Sequence, residues 1–265
     1  MVRSPIRWLG GKFRLREQIV RLMPPHECYV EVFSGAAWVL FAKPPELSKA
    51  EVLNDLDGEL ANLWRVLKHK GAEFTEAMDW AIASEELFHE WKPLPGVGSE
   101  VTRAVRFYVV CRMAFGGRMN QPTLGYKFNK RPELFWSDAK DEAKAIIARL
   151  RQVWIRRMTW EQCLALYNRA NTFFYLDPPY HCAGAKGYRH WFTDEDHARL
   201  ADTLRGLKGK WLLSYNDDPF IRRLYRWRGL HLREVSWHYS AAKGARPLGR
   251  ELLIANYALP QAVRA

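Results

Sequence analysis

The sequence predicts an α/β protein built on a mostly parallel sheet, with helices on both faces and a mainly helical insert. Short apolar runs alternate with helical patterns from residue 29 to 69, and the alternation returns after residue 172. This β–α–β–α order is typical of parallel strands joined by crossover helices. Between about 70 and 160 the alternation lapses. The sequence therefore predicts one sheet domain (1–69 and 160–265) interrupted by an inserted subdomain (70–159).

The first part of the sheet domain contains two predicted strands. Tyr29–Phe33 is an apolar run that turns at 34–37, where the residues are Ser, Gly, Ala and Ala. Glu51–Asn54 is the second strand, and Leu56–His69 follows it with its leucines and a tryptophan on one helical face. Both strands are thus followed by segments that can cross back over a sheet.

The insert is predicted to be helical around a basic, irregular stretch. Val101–Ala114 and Asp138–Leu150 read as helices, and Tyr126–Phe128 as a hairpin strand between them. From Arg103 to Arg131 there are seven Lys and Arg residues and no Asp or Glu. In a chain of formal net charge +12, this window favours contact with a polyanion over a solvated face, which usually contains both signs.

The second part of the sheet domain resumes the alternation. Thr193 and three acidic residues after it favour a helix start at that position. The predicted elements are strand Thr172–Leu176, helix Thr193–Leu207, strand Lys210–Tyr215, helix Pro219–Trp227 and a terminal strand pair at Leu230–Trp237 and Glu251–Tyr257.

The most informative motif is Asp177-Pro178-Pro179-Tyr180, at the end of the strand Thr172–Leu176. The two prolines end the strand because they cannot donate to a sheet ladder. In open α/β sheets the carboxyl ends of the strands are where ligands bind. A carboxylate, free carbonyls and an aromatic ring suit a planar substrate that carries an amino group. Taken alone, a strand-ending turn with a helix-capping Asp is an equally good interpretation.

Three further segments are weak candidates when taken singly. The turn containing Gly35 allows close approach of a ligand to the backbone, but a tight β–α turn explains it as well. Asp55 follows the second strand, where a carboxylate either binds a ribose hydroxyl or caps the next helix. The segment from Trp8 through Gly10 to Lys12 is either a surface turn or a loop whose lysine ammonium group meets a carboxylate.

Several classes of protein are disfavoured by composition. The four cysteines contain no CxxC pair and the eight histidines no metal-type spacing, so the sequence predicts neither a disulfide framework nor a bound metal. A signal sequence and an apolar span of about 18 residues are not visible. We therefore expect a cytoplasmic protein with no membrane contact, and no obligate protein partner is evident.

The chain resembles the Dam-type DNA adenine-N6 methyltransferases, which depend on S-adenosylmethionine and carry a DPPY motif. The resemblance runs nearly the whole length in the family's order. Its pieces are Pro5–Lys12, Tyr29–Gly35, Leu53–Asp57, Tyr175–Tyr180, Phe192-Thr193, Leu213–Asp217 and Glu251–Tyr257.

The resemblance implies a Rossmann-like methyltransferase sheet, a catalytic domain at 1–69 and 160–265, and a target-recognition subdomain at 70–159. It implies methyl transfer to a flipped-out adenine of double-stranded DNA in a bacterial, archaeal or phage-infected cell. The implied S-adenosylmethionine pocket is Trp8, Gly10, Lys12, Phe33, Gly35, Asp55 and Asp177. The implied catalytic residues are Asp177, Pro178, Pro179 and Tyr180. The expected DNA contacts, in the basic insert, are Arg112, Arg118, Asn120, Lys127 and Lys130.

Two departures from the family pattern leave alternatives open. Ala37 stands where many relatives have a second glycine, and Gly116-Gly117 followed by Asn120 only loosely follows the recognition hairpin of GATC-specific members. GATC is therefore not implied as the target. Methylation of RNA or of cytosine N4, and a catalytically silent DNA-binding relative, are the alternative functions.

Overall fold

The computed structural model describes residues 2–125, 140–181, 189–238 and 248–260. Within these ranges seven strands form one sheet in the order β3-β2-β1-β4-β5-β7-β6. The strands are β1 (Cys28–Glu31), β2 (Ala50–Asn54), β3 (Val153–Arg156), β4 (Thr172–Leu176), β5 (Lys210–Asn216), β6 (His231–His238) and β7 (Leu248–Ala255). The first five strands are parallel, and β7 is antiparallel to both β5 and β6.

Ten α-helices lie in the described residues. They are α1 (Arg16–Arg21), α2 (Trp38–Ala42), α3 (Gly58–His69), α4 (Gly71–Asp79), α5 (Glu85–Trp91), α6 (Glu100–Met113), α7 (Lys140–Leu150), α8 (Trp160–Tyr167), α9 (Asp194–Arg205) and α10 (Pro219–Leu224). As the sequence predicts, Thr193 caps α9, forming a capping box with Asp196.

Alternate residues of the central strands pack into two separate cores. Tyr29 and Phe173 belong to the core that contains side chains of α1, α2, α3, α6 and α7. Val30 and Phe174 point the other way, into the core with α8, α9 and α10. The sheet is therefore buried on both faces, and the predicted Rossmann-like α/β architecture is confirmed.

The insert begins with α4, α5 and α6, which continue one of these cores. Phe74 of α4 contacts Tyr108 of α6 edge to face, with ring centroids 5.7 Å apart. After α6 the chain forms an antiparallel bridge between Ala114 and Leu124. The predicted hairpin strand Tyr126–Phe128 lies outside the described residues.

The strand β3 differs from the sequence prediction, which contains no strand at residues 153–156. Val153 pairs in parallel with Glu51 at the edge of the main sheet. The run is only four residues long, Trp154 within it is 57% exposed, and it ends in Arg156 with Arg157 after it, so it lacks the apolar signal of a central strand. The division into 1–69, 70–159 and 160–265 remains a proposal, with β3 belonging to the sheet.

No helix in the described part of the chain is both long and apolar enough to cross a membrane.

Candidate active site

The carboxyl ends of the parallel strands form one side of a cavity of about 330 Å³. Parallel strands end at the same edge of a sheet, so the turns after β1, β2 and β4 meet there. The N-terminal segment and the residues before α9 form the other walls. All seven residues predicted to bind the cofactor line this cavity, namely Trp8, Gly10, Lys12, Phe33, Gly35, Asp55 and Asp177. Their binding role stays a prediction.

The turn after β1 requires glycine at position 35. Gly35 has φ +45°, and a Cβ there would stand 2.8 Å from Cδ1 of Trp8. Its backbone N–H donates to Oδ2 of Asp55 at 2.9 Å. The glycine therefore allows an indole, a turn and a carboxylate to meet at one point.

Ala37 keeps the left-handed geometry that a glycine favours. Its φ is +52°, and its N–H donates to the Ser34 carbonyl at 2.6 Å. A left-handed conformation costs an L-residue about 1 kcal/mol. The departure from the family pattern thus leaves the turn closed, at the expense of local strain.

Asp55 does not cap the helix that follows it. Asp57 is the N-cap of α3 and accepts from the N–H groups of Glu59 and Leu60. Asp55 instead accepts from the N–H groups of Gly35 and Asp57, and burial raises its pKa to about 6. Its carboxylate is therefore fixed at the cavity wall.

Lys12 reaches from the N-terminal segment to the end of β4. Its Nζ lies 2.7 Å from Asp177, 3.6 Å from Oε1 of Glu251 and 2.8 Å from the Gly10 carbonyl oxygen. Burial opposes a charge on Lys12, but the two carboxylates outweigh it and raise its pKa. The sequence left open whether this segment is a surface turn or brings a cation to a carboxylate, and the structure shows the contact between the cation and the carboxylate.

Asp177 is held on a second side by Ser214 of β5. The Ser214 hydroxyl donates to Oδ1 of Asp177 at 3.0 Å and lies 2.9 Å from the hydroxyl of Tyr175. Pro178 is buried and Pro179 lines the cavity. The carboxylate therefore has a fixed orientation on the cavity wall.

Tyr180 is anchored through its hydroxyl, which donates to Oε1 of Glu251. Its ring centroid lies 4.9 Å from Nζ of Lys12. The ring, the ammonium and the Asp177 carboxylate thus form one connected group.

Two buried acids at this edge are missing from the residues that the sequence analysis selects. Glu31 of β1 accepts from the Tyr29 hydroxyl at 2.9 Å and from the Leu40 N–H at 3.1 Å, and burial raises its pKa to about 8. Glu251 of β7 is the other. Each is an ionisable residue inside an apolar strand, which is a usable signal because such groups are rarely buried without a role.

The rim of the cavity holds further residues that sequence reasoning did not select. Arg189 lies 2.9 Å from Asp57, the cap of α3. The ring of Phe192 packs edge-on against Phe33 at 5.7 Å. Phe192 belongs to the family motif Phe192-Thr193, which was a usable signal for this position.

The N-terminal segment also contacts the insert. Cys111 of α6 donates from Sγ to the Arg7 carbonyl at 2.7 Å. Gly117, at φ +67°, lies so close to the Arg7 backbone that a Cβ would stand 2.6 Å from its carbonyl carbon. The next residue, Trp8, is the one that packs on Gly35.

The predicted DNA contacts occupy different environments. Arg112 is half-buried and donates to the Pro5 carbonyl at 3.3 Å, whereas Arg118 is exposed. Asn120 lines a groove of about 650 Å³ in the insert, together with Trp91 and Arg106. Arg189 lines both this groove and the cavity. Lys127 and Lys130 lie outside the described residues.

A search for metal ligands within 2–125, 140–181, 189–238 and 248–260 finds no group of three or more His, Cys, Asp or Glu residues that could hold an ion.

Comparison with known proteins gives the same family over the whole chain. The sequence profile of the D12 class N6 adenine-specific DNA methyltransferases matches residues 8–240. The Type II methyltransferase M1.LlaDCHI of Lactococcus lactis subsp. cremoris is 27% identical over 273 residues, which is 95% of this chain and 94% of that protein. The DNA adenine methylase of Escherichia coli strain K12 is 26% identical over 272 residues, with the same two coverages.

A third relative agrees. The DNA adenine methylase of Vibrio cholerae serotype O1 (strain N16961) is 27% identical over 278 residues and covers 95% of each chain. The resemblance found in the sequence is therefore confirmed, and the chain belongs to the D12 class N6 adenine-specific DNA methyltransferase family.

Proposed function

We propose that this protein transfers a methyl group from S-adenosylmethionine to N6 of an adenine that is flipped out of double-stranded DNA. The observation that carries the proposal is the fixed carboxylate of Asp177, held by Lys12 and Ser214 at the wall of the cavity. It stands beside a proline turn and the anchored ring of Tyr180. An exocyclic amine on a planar base has the matching shape and hydrogen-bond donors.

The residues of the cavity suit S-adenosylmethionine in size and charge. The volume lies within the roughly 300–1,000 Å³ typical of small-molecule sites. Asp55, already oriented by two backbone N–H groups, would hold the ribose hydroxyls, and Gly35 allows close approach of the ligand. Acidic side chains on the wall favour a ligand with a sulfonium and an ammonium group. Bound there, S-adenosylmethionine supplies an electrophilic methyl group.

The protein's own groups orient the base and stabilise the developing charge. Asp177 and the Pro178 carbonyl accept hydrogen bonds from the amino group, which directs the nitrogen lone pair away from them. Tyr180 stacks on the face of the base. Lys12 and Ser214 keep Asp177 from rotating. Acceleration then comes from positioning and from electrostatic stabilisation, without a covalent protein intermediate.

The DNA must present an adenine that is unstacked, because the amino group of a paired base is inaccessible. Flipping costs a few kcal/mol, and contacts to the rest of the duplex offset this cost. We propose that the exposed Arg118 and the half-buried Asn120 of the insert contribute such contacts. Arg112 is a weaker candidate because its guanidinium donates to the Pro5 carbonyl.

The function is tested by incubating the purified protein with tritiated S-adenosylmethionine and DNA, followed by single-molecule sequencing of the product. We expect tritium in DNA and N6-methyladenine at a defined sequence. Label in RNA, or N4-methylcytosine in the DNA, would replace the substrate we propose. Cofactor binding without any transfer would indicate the catalytically silent relative.

A further inference from the structure

Glu251 enters the active site from β7, a strand that lies outside the motif bearing Asp177 and Tyr180. β7 runs antiparallel to β5, and Glu251 is paired with Asn216, the last residue of β5. This register brings Glu251 to the edge at which the parallel strands end. Its side chain is 4% exposed.

One oxygen of Glu251 contacts two residues of the site. Oε1 accepts a hydrogen bond from the Tyr180 hydroxyl and lies 3.6 Å from Nζ of Lys12. Lys12 in turn contacts Asp177 at 2.7 Å. Through these contacts a single carboxylate links the aromatic ring to the group that accepts the amine.

The arrangement is costly for stability. Oε2 of Glu251 is buried and has no hydrogen-bond partner among the described residues, and burial raises the pKa of this carboxyl. Asp177 and Glu251 share the one ammonium of Lys12. A buried charge with incomplete pairing destabilises a fold, and a neutral side chain of equal size would avoid this.

The position of Tyr180 in the chain explains what the Glu251 carboxylate contributes in return for this cost in stability. The residue lies beyond the two prolines, where sheet hydrogen bonds no longer fix the chain. A tyrosine ring that is held at both Cβ and its hydroxyl has a fixed long axis and therefore a fixed position, whereas a ring held at Cβ alone can swing to another χ1 rotamer. A charge-assisted hydrogen bond is roughly twice as strong as a neutral one.

We propose that Glu251 is a positioning residue for methyl transfer, which fixes the position of the Tyr180 ring and, through Lys12, the carboxylate of Asp177. The inference rests on the proposed function, since it assigns a role within that reaction. It adds to the site a residue that touches neither the base nor the cofactor.

The test is a double-mutant cycle on kcat with Glu251→Gln, Tyr180→Phe and the combination. Glutamine keeps the size and the acceptor atom but removes the charge. We expect kcat to fall about tenfold in Glu251→Gln, with KM for S-adenosylmethionine within twofold of the wild type. If both groups act as one unit, the double variant is no slower than the slower single variant. An unchanged kcat, or effects that multiply, would overturn the proposal.

A spectroscopic readout separates positioning from simple stability. 2-Aminopurine at the methylated adenine position, identified by sequencing, is quenched when it stacks on an aromatic ring. With the wild type and a non-reactive cofactor analogue we expect a short fluorescence lifetime, and with Glu251→Gln a longer one. An unchanged lifetime in that variant contradicts the role.

Glu51→Gln is the matched control. Glu51 is also a buried strand carboxylate bonded to a lysine. It lies near the amino end of β2, away from the active site, and it pairs with Lys43 and Arg149. We expect it to lower the melting temperature and to leave kcat and the lifetime unchanged. If Glu251→Gln behaves in the same way as Glu51→Gln, Glu251 is structural and the inference fails. If the wild type itself transfers no methyl group to DNA adenine, the proposed function fails instead.

Discussion

Two buried ionic clusters lie at opposite ends of the parallel strands, and they differ in charge balance. In the amino-end cluster, Glu51 at the start of β2 accepts from Lys43 and, through both oxygens, from Arg149. In the carboxyl-end cluster, Lys12 is the cation that faces Asp177 and Glu251, with Glu31 buried at the same edge. Counted over the described residues, the first cluster has two cations for one acid, and the second has one cation for three acids.

The difference in charge balance indicates different roles. One cluster holds secondary-structure elements together, and the other has acidic groups that a cationic ligand could pair. The amino-end cluster ties α2, β2 and α7 together, and both oxygens of its acid are bonded. The carboxyl-end cluster keeps an excess of acid and a buried oxygen without a partner among the described residues. Excess buried charge is stable only with a proton or a cationic ligand nearby. The imbalance therefore supports the site that we propose at this end of the sheet.

The largest effect is expected for Asp177→Asn. The amide keeps the shape, but it replaces an ionised acceptor with a neutral group that also presents donors. We expect methyl transfer to fall about a hundredfold to a thousandfold, as when a preorganised electrostatic group is removed. Tritium incorporation into DNA measures this.

The control for that variant is the same change at the other end, Glu51→Gln. Its transfer rate per folded molecule is expected to match the wild type. Cofactor affinity measured by calorimetry should be reduced but measurable in Asp177→Asn. Near-normal transfer in that variant would remove Asp177 from the mechanism.

The second prediction compares the two lysines. Lys12→Met leaves two buried carboxylates without their cation, so the free energy of unfolding should fall by about 3–5 kcal/mol. Lys43→Met leaves Glu51 bonded to Arg149, and the loss should be only about 1–2 kcal/mol. Urea titrations at pH 8 measure both.

Lowering the pH sharpens this comparison. Burial raises the pKa values of Asp177 and Glu251, so the folded state of Lys12→Met takes up protons more readily than the unfolded state. The loss in free energy of unfolding that Lys12→Met shows relative to the wild type should therefore be smaller at pH 5 than at pH 8. The predicted difference between the two clusters would be wrong if Lys12→Met and Lys43→Met lost the same free energy of unfolding, or if the loss in Lys12→Met did not depend on pH.

The third prediction concerns Glu31, whose pKa burial raises to about 8, from 4.5 for an unburied carboxyl. Below pH 4.5 both states hold the proton; between the two values only the folded state holds it. Stability of the cofactor-free protein should then fall as pH rises through this window, by up to about 1.4 kcal/mol per pH unit.

Glu31→Gln removes the titrating group, so the stability of that variant should depend less on pH between 5 and 8. Chemical denaturation at a series of pH values gives both curves. Parallel curves for wild type and variant would exclude Glu31 as the source of the slope.

The smallest effect is expected outside both clusters, at the exposed Arg118. If it contacts one phosphate, Arg118→Gln should lower the slope of log K against log salt by about 0.9, and leave stability unchanged. DNA binding titrated at several salt concentrations measures the slope. The half-buried Arg112 makes a useful contrast, because its loss should lower stability as well.

Sequence reasoning predicted those features that depend on local pattern. Apolar runs identified β1, β2, β4 and β5, and the rule that ligands bind at the carboxyl ends brought Gly35, Asp55 and Asp177 to one edge. The short edge strand β3 gave no such signal because Trp154 is largely exposed.

The residues that were missed depend on tertiary contacts. Glu251 reaches Tyr180, 71 positions away in sequence, because β7 inserts antiparallel beside β5. Ser214 lies in the family motif Leu213–Asp217, but the motif does not predict its hydrogen bond to Asp177. That bond follows from the pairing of the neighbouring strands β4 and β5. No periodicity encodes such cross-strand partners, although an isolated Glu in an apolar strand is a warning of them.

If the insert contacts the target DNA, as we propose, then the contact of Gly117 with the Arg7 backbone limits how the protein could be given a new recognition sequence. A transplanted insert would have to reproduce a glycine in the left-handed region and a small residue in the place of Cys111, or it would displace Arg7 and the adjoining Trp8. Trp8 packs on Gly35, in the turn at the wall of the cavity. Exchange of inserts between relatives should therefore succeed when the N-terminal segment is exchanged together with the insert.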